Sequence, residues 1–123
     1  MGVIYLINAE RTDYYKIGIT KGNANKRLKA LQTGSVTKLV LVDFYKSDLH
    51  FNIETILHRL WKHKKFIVED FEDLKGEWFK LEFNDVKEFG ERCRRIEWNL
   101  NFLKESSSIA NEFIFYRKIG NKF

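Results

Sequence analysis

Tyr5 and Lys16 stand on two short β-prone runs, residues 3–7 and 14–20, joined by the polar stretch 8–13. The first run is wholly apolar and reads as a buried strand. The second alternates, with Tyr15, Ile17 and Ile19 on one face and Tyr14, Lys16, Gly18 and Thr20 on the other. A hairpin with a symmetric loop pairs Ile7 with Tyr14, Tyr5 with Lys16 and Val3 with Gly18. Directly opposed residues share a face, with Cβ atoms about 4.5–5.5 Å apart. An ammonium beside a phenol favours the phenolate, and that form can take a proton from water. Gly18 on the same face leaves space for a phosphate backbone. A slip of one residue would send the partners to opposite faces.

Arg27 flanks the apolar stripe of Ala24, Leu28 and Leu31 on the next segment, 23–33, which reads as a helix stopped by Gly34. A guanidinium leaning over the sheet from there would grip a phosphate in two-pronged fashion. Glu54 adjoins the buried positions Ile53 and Leu57 of a second helix. A carboxylate at the edge of a buried stripe calls for a partner, and a hard cation is one. His58 follows one turn later on the same face. Lys21, Lys26 and Lys62, with Gly18, are the candidate nucleic-acid contacts.

These residues need elements to position them. A third strand over 39–45 precedes the second helix, which is capped by Ser47 or Asp48 and buries Leu49, Ile53, Ile56, Leu57 and Leu60 before Trp61. Residues 62–65 form a basic helix exit. A short strand over 77–83, entered through Gly76, precedes a long helix capped by Asn84 or Asp85. Val86, Phe89, Cys93, Ile96, Leu100 and Leu103 recur at steps of three and four, a stripe suited to core packing or to a partner helix. Three serines, 106–108, end it, and the tail 111–123 carries Phe113, Ile114, Phe115 and Tyr116 for a further strand or oligomer contacts. The expected fold is α+β: a small, mainly antiparallel sheet flanked by helices, with a long C-terminal helix. Residues 1–83 form the core, and 84–123 pack on it.

Charge is uneven. Residues 1–46 hold eight Lys and Arg against three Asp and Glu, and 47–91 hold seven against eleven. Residues 92–123 hold seven against three. A basic N-terminal third attracts polyanions, although a solvated basic face has the same composition. No apolar run is long enough to span a membrane, and no signal-peptide pattern opens the chain. Cys93, the one cysteine, can form neither an internal disulfide nor a multi-cysteine zinc site, so a reducing cytoplasmic setting is expected.

Val3-Ile4-Tyr5 and Lys16-Ile17-Gly18 resemble the two strand motifs of the GIY-YIG nuclease superfamily. Arg27 and Glu54 follow in the matching order. The runs 15–20 and 31–34, Glu54 with Leu57-His58, and Gly76-Glu77-Trp78-Phe79 resemble its phage and bacterial branch. The resemblance covers about residues 1–81. It implies DNA phosphodiester hydrolysis with one Mg²⁺ or Mn²⁺ held by Glu54. It also implies catalytic roles for Tyr5, Arg27 and Glu54, to which the candidate set adds Lys16, in the second-motif tyrosine position, and His58, one turn after Glu54. Val3 replaces the first-motif glycine and Lys16 the second-motif tyrosine, which makes Tyr5 the better general base.

Each residue also has a structural reading. Tyr5 could be a core tyrosine, Lys16 an edge-strand charge, Arg27 and Glu54 solvated or ion-paired helix charges, and His58 a structural histidine. DNA is the expected partner, with RNA open. Two other functions fit the same residues: a non-cutting nucleic-acid-binding module, and an accessory protein that dimerises through its C-terminal helix or tail.

Overall fold

In the computed structural model the described residues are 1–66 and 77–106. Strand β1 (Gly2–Ala9) is the centre of the molecule. It pairs on one side with β2 (Tyr14–Thr20) and on the other with β3 (Leu39–Ser47), both antiparallel. Two short strands, β4 (Lys65–Phe66) and β5 (Trp78–Lys80), complete a five-stranded sheet in the order β3-β1-β2-β5-β4. All four pairings are antiparallel.

Helix α1 (Ala24–Thr33) covers one face of this sheet. Helices α2 (His50–Leu60) and α4 (Phe89–Ser106) cover the other, and α3 (Phe83–Lys87) leads into α4. The uninterrupted apolar character of β1 follows from this position. Alternate residues point to opposite faces, and both faces are covered. Ile4 and Leu6 join Ile17, Ile53, Leu57, Phe89, Cys93 and Ile96 in one core. Val3, Tyr5 and Ile7 join Ala24, Leu39 and Trp78 in the other, with Leu28 and Leu31 of α1 packed on it. The predicted α+β architecture, with its antiparallel sheet and long C-terminal helix, is therefore observed.

The hairpin register differs from the symmetric expectation. Tyr5 lies opposite Gly18, Ile7 opposite Lys16 and Val3 opposite Thr20. Asn8 belongs to the hairpin and not to the loop: it pairs with Tyr15, and its side-chain amide donates to the carbonyls of Thr12 and Tyr14, 3.0 Å each. The turn is tightened by Thr12, whose N–H reaches Ala9 O at 3.1 Å, and by Arg11 at φ 64°. The pairing is displaced by two residues, so every side chain keeps its face.

Three other boundaries move. The strand expected over 77–83 is only Trp78–Lys80, and Lys65 at the end of the basic exit pairs with Phe79 as part of β4. Ser47 acts two residues before the α2 cap position, Leu49, accepting the Leu49 N–H at 2.9 Å. The long helix expected from residue 84 is divided at Glu88, where φ −91° and ψ 2° depart from helical values. Asp85 helps close the start of α3 by accepting the Glu82 N–H at 2.9 Å. The stripe from Phe89 through Cys93 and Ile96 to Leu100 is spent on the core, with Leu103 packed beside it. Expectations for Gly76, Ser107, Ser108 and the tail 111–123 lie outside the described residues.

Candidate active site

Strand β5 pairs with β2 only at Tyr14 and Tyr15. From Lys16 to Thr20, β2 therefore has strand partners in β1 alone among the described residues. The candidate site gathers at this gap.

Tyr5 approaches from the neighbouring strand. A Cβ added to Gly18 would lie 2.2 Å from the Tyr5 hydroxyl oxygen and 2.4 Å from Cζ. The phenol thus lies across Gly18, running from β1 over β2. This corrects the expected role of Gly18: the missing side chain makes space for the tyrosine ring and not for a phosphate backbone. Tyr5 is 2% exposed, so packing holds the ring in this direction.

Lys16 is not the direct cross-strand neighbour of Tyr5, as the register shows, but it shares its face. Its ammonium lies 5.7 Å from the centroid of the Trp78 ring, within cation–π range. Burial pushes its pKa down, the Arg27 guanidinium pushes it further, and Glu77 acts in the opposite sense. Arg27 itself is exposed on α1. Helix α1 is begun by Asn23, whose side chain accepts the N–H groups of Asn25 and Lys26 at 2.7 and 3.4 Å.

Helix α2 brings two groups from the opposite face. His58 Nε2 is 2.8 Å from the carbonyl oxygen of Ile17, and Nδ1 is 3.1 Å from a Glu77 carboxylate oxygen. Both partners, the Ile17 carbonyl and the Glu77 carboxylate, are acceptors. An imidazole held in this way ties α2 to β2, and positioning suits it better than proton transfer. Glu54, one turn earlier, is partly buried. Burial raises its pKa, His58 and His50 lower it, and Glu77 raises it. Among the described residues Glu54 has neither a hydrogen bond nor an ion pair.

Sequence reasoning missed Glu77 as a member of this group. It accepts from Lys65 Nζ at 2.7 Å as well as facing His58, and it acts electrostatically on both Lys16 and Glu54. The Lys65 hydrogen bond is the main cause of its lowered pKa. The signal was present in the Gly76-Glu77-Trp78 run, but only pairing of β5 beside β2 brings that carboxylate to the gap. Trp78 belongs to the core, and Lys16 also rests on it.

The remaining candidates lie apart. Lys21 and Lys26 are exposed, beyond β2 and on the first turn of α1. Lys62 is exposed in the short turn after α2, whose next residues, His63 and Lys64, line a separate hollow with Asp13 and Tyr15. Lys64 is committed to Asp85 at 2.6 Å and Lys65 to Glu77, so the basic exit of α2 is largely paired.

Among the described residues no group of three or more His, Cys, Asp and Glu side chains could hold a metal ion. Glu54 offers instead one desolvated carboxylate. This donor set fits a magnesium-like ion, which keeps several waters and takes one or two carboxylates together with substrate phosphate. Among the described residues no helix is long and apolar enough to cross a membrane.

An antiparallel sheet covered on both faces, with polar groups from four elements gathered where β2, among the described residues, pairs with β1 alone, defines an α+β domain with its candidate site at that stretch of β2. The chain belongs to the T5orf172 domain family, which matches residues 2–96 and is commonly described as GIY-YIG-like. No curated protein and no solved structure matches it.

Proposed function

We propose that this protein is a divalent-metal-dependent endonuclease that hydrolyses DNA phosphodiester bonds. The observation that carries the reading is the Tyr5 phenol laid across Gly18 toward the gap in β2, where Lys16, Glu77, His58 and Glu54 meet.

Tyr5 is the proton acceptor for the attacking water. Water oxygen bonds to phosphorus as the bond to one bridging sugar oxygen breaks, and the departing oxygen takes a proton from solvent. Lys16 and Arg27 supply positive charge to the phosphate, where a charge-assisted contact strengthens as negative charge builds. Glu54 would hold Mg²⁺ or Mn²⁺, which when bound supplies Lewis-acid stabilisation of the phosphate oxygens. His58 keeps α2, and so Glu54, in place against the Ile17 carbonyl. Lys21, Lys26 and Lys62, exposed and apart from this centre, are the cations that would contact the nucleic acid beyond it.

The test is nicking of supercoiled plasmid DNA with Mg²⁺ or Mn²⁺. Tyr5→Phe and Glu54→Gln should each lower the rate by about 100-fold or more, the scale of losing one catalytic group. Unchanged rates in both variants would sink the assignment. Salt-sensitive DNA binding without product under any divalent ion would favour the non-cutting module instead.

A further inference from the structure

The sheet face that carries Tyr5 has a second feature one strand away. Phe44 on β3 pairs with Tyr5 and so shares its face. Yet Phe44 is 46% exposed. It forms one wall of a hollow of about 490 Å³ whose other walls include Val3, Lys46 and the approach to and start of α1, Gly22 to Asn25.

We propose that this hollow is a subsite for one unpaired nucleotide of the polynucleotide, with its base stacked on Phe44 and its phosphate toward Lys46 and the start of α1. The inference rests on the reading that the chain acts on nucleic acid. The floor is apolar and aromatic, as a base face requires. Lys46 lines the rim and Lys21 lies at the adjoining end of β2, while the neighbouring acid, Asp48, is engaged with the amino group of Met1 at 3.9 Å. The first turn of α1 holds no acidic residue; Asn23 already accepts the N–H groups of Asn25 and Lys26, so the helix start adds only its partial positive charge to that of Lys46. Asp43, the nearest acid on β3, pairs with Leu6 and faces the other side of the sheet, toward Gly90. Mixed aromatic and cationic walls favour a nucleotide over a purely apolar ligand. Because Phe44 and Tyr5 are cross-strand partners, a base held there would anchor the strand beside the phosphate presented to Tyr5.

The experiment measures binding without cleavage. Anisotropy of a labelled single-stranded oligonucleotide, and of the matching blunt duplex, is followed with the full chain in EDTA. Phe44→Ala should weaken single-strand binding by about 5- to 150-fold, the range for loss of one base–aromatic stack. Duplex binding should change less than about twofold, because paired bases offer no free face. Phe44→Trp should retain affinity, and its added indole fluorescence should be quenched by the single strand. Equal binding by wild type and Phe44→Ala, with no quenching in Phe44→Trp, overturns the subsite and leaves the nuclease reading standing. Absence of any binding by the wild type overturns the nucleic-acid reading itself. A change in oligomeric mass on Phe44→Ala, with DNA binding intact, assigns the hollow to a second copy of the chain and also overturns the proposal.

Discussion

Gly18→Ala isolates the contact on which the catalytic proposal depends. The added Cβ would sit 2.2 Å from the Tyr5 hydroxyl, 2.4 Å from Cζ and 2.9 Å from Cε1. A hydroxyl at the end of a flexible side chain could swing away cheaply. This one cannot, because the ring is 2% exposed and held among Val3, Ile7, Ala24 and Trp78. Overpacking of this kind costs roughly 1–3 kcal/mol. The opposing effect is the loss of unfolded-state freedom, which favours alanine by about 0.4–1 kcal/mol where the backbone tolerates it. Gly18 has no left-handed φ, so that gain is available. Steric cost should exceed that gain by up to about 2.6 kcal/mol, read as a lower midpoint in urea denaturation. In a Tyr5→Leu background the ring is gone, and Gly18→Ala should become neutral or slightly stabilising. The difference between the two backgrounds is the coupling energy, expected at about 1 kcal/mol or more. Nicking by Gly18→Ala should fall together with its stability, because the phenol is displaced. A Gly18→Ala protein as stable as wild type, with no coupling to Tyr5, would refute the placement of the phenol over Gly18.

Two further outcomes are expected. Asp85 has a pKa below its ordinary 3.8: burial alone raises it, but hydrogen bonds from Lys64 and the Glu82 backbone and the charges of Lys64 and Arg92 outweigh that. A depressed carboxylate pKa contributes stability above the unfolded value that is lost as pH falls through the folded one. Denaturation of wild type and Asp85→Asn should therefore show a gap at neutral pH that narrows below about pH 4, and a gap independent of pH would exclude the ion pair as its source. On α4, Trp98 and Phe102 are 62% and 53% exposed and stacked with ring centroids 5.4 Å apart. Should the chain dimerise through this helix, sedimentation should show a concentration-dependent mass that Trp98→Lys with Phe102→Lys abolishes, whereas an unchanged mass would place any self-association elsewhere.

The local patterns of the sequence were enough for the architecture. An apolar run at 3–7 can be buried on both faces only as a central strand, and the three-and-four spacing from Phe89 to Leu100 can face a core only as a helix. Tyr5, Lys16, Arg27 and Glu54 could be singled out because their neighbours lie on apolar faces that must turn inward. Boundaries set by single hydrogen bonds were less legible. Asn8 has the composition of a loop residue, and its side-chain bonds to Thr12 and Tyr14 place it in the hairpin. Glu88 looks like any helix interior residue, although the helix is divided there.

Sequence by itself determined which residues face each side of β1 and β2, because side chains alternate along a strand and a shift of two preserves that alternation. It also determined that Gly18 shares a face with Tyr5. Only the tertiary structure decided that Gly18 makes way for the phenol, that β5 pairs with β2 at Tyr14 and Tyr15, and that Glu77 and His58 meet nearby. Those outcomes depend on register and on contacts between segments distant in the chain, such as His58 with Ile17, 41 residues apart. Periodicity encodes the face a residue occupies, but not the neighbour it meets there.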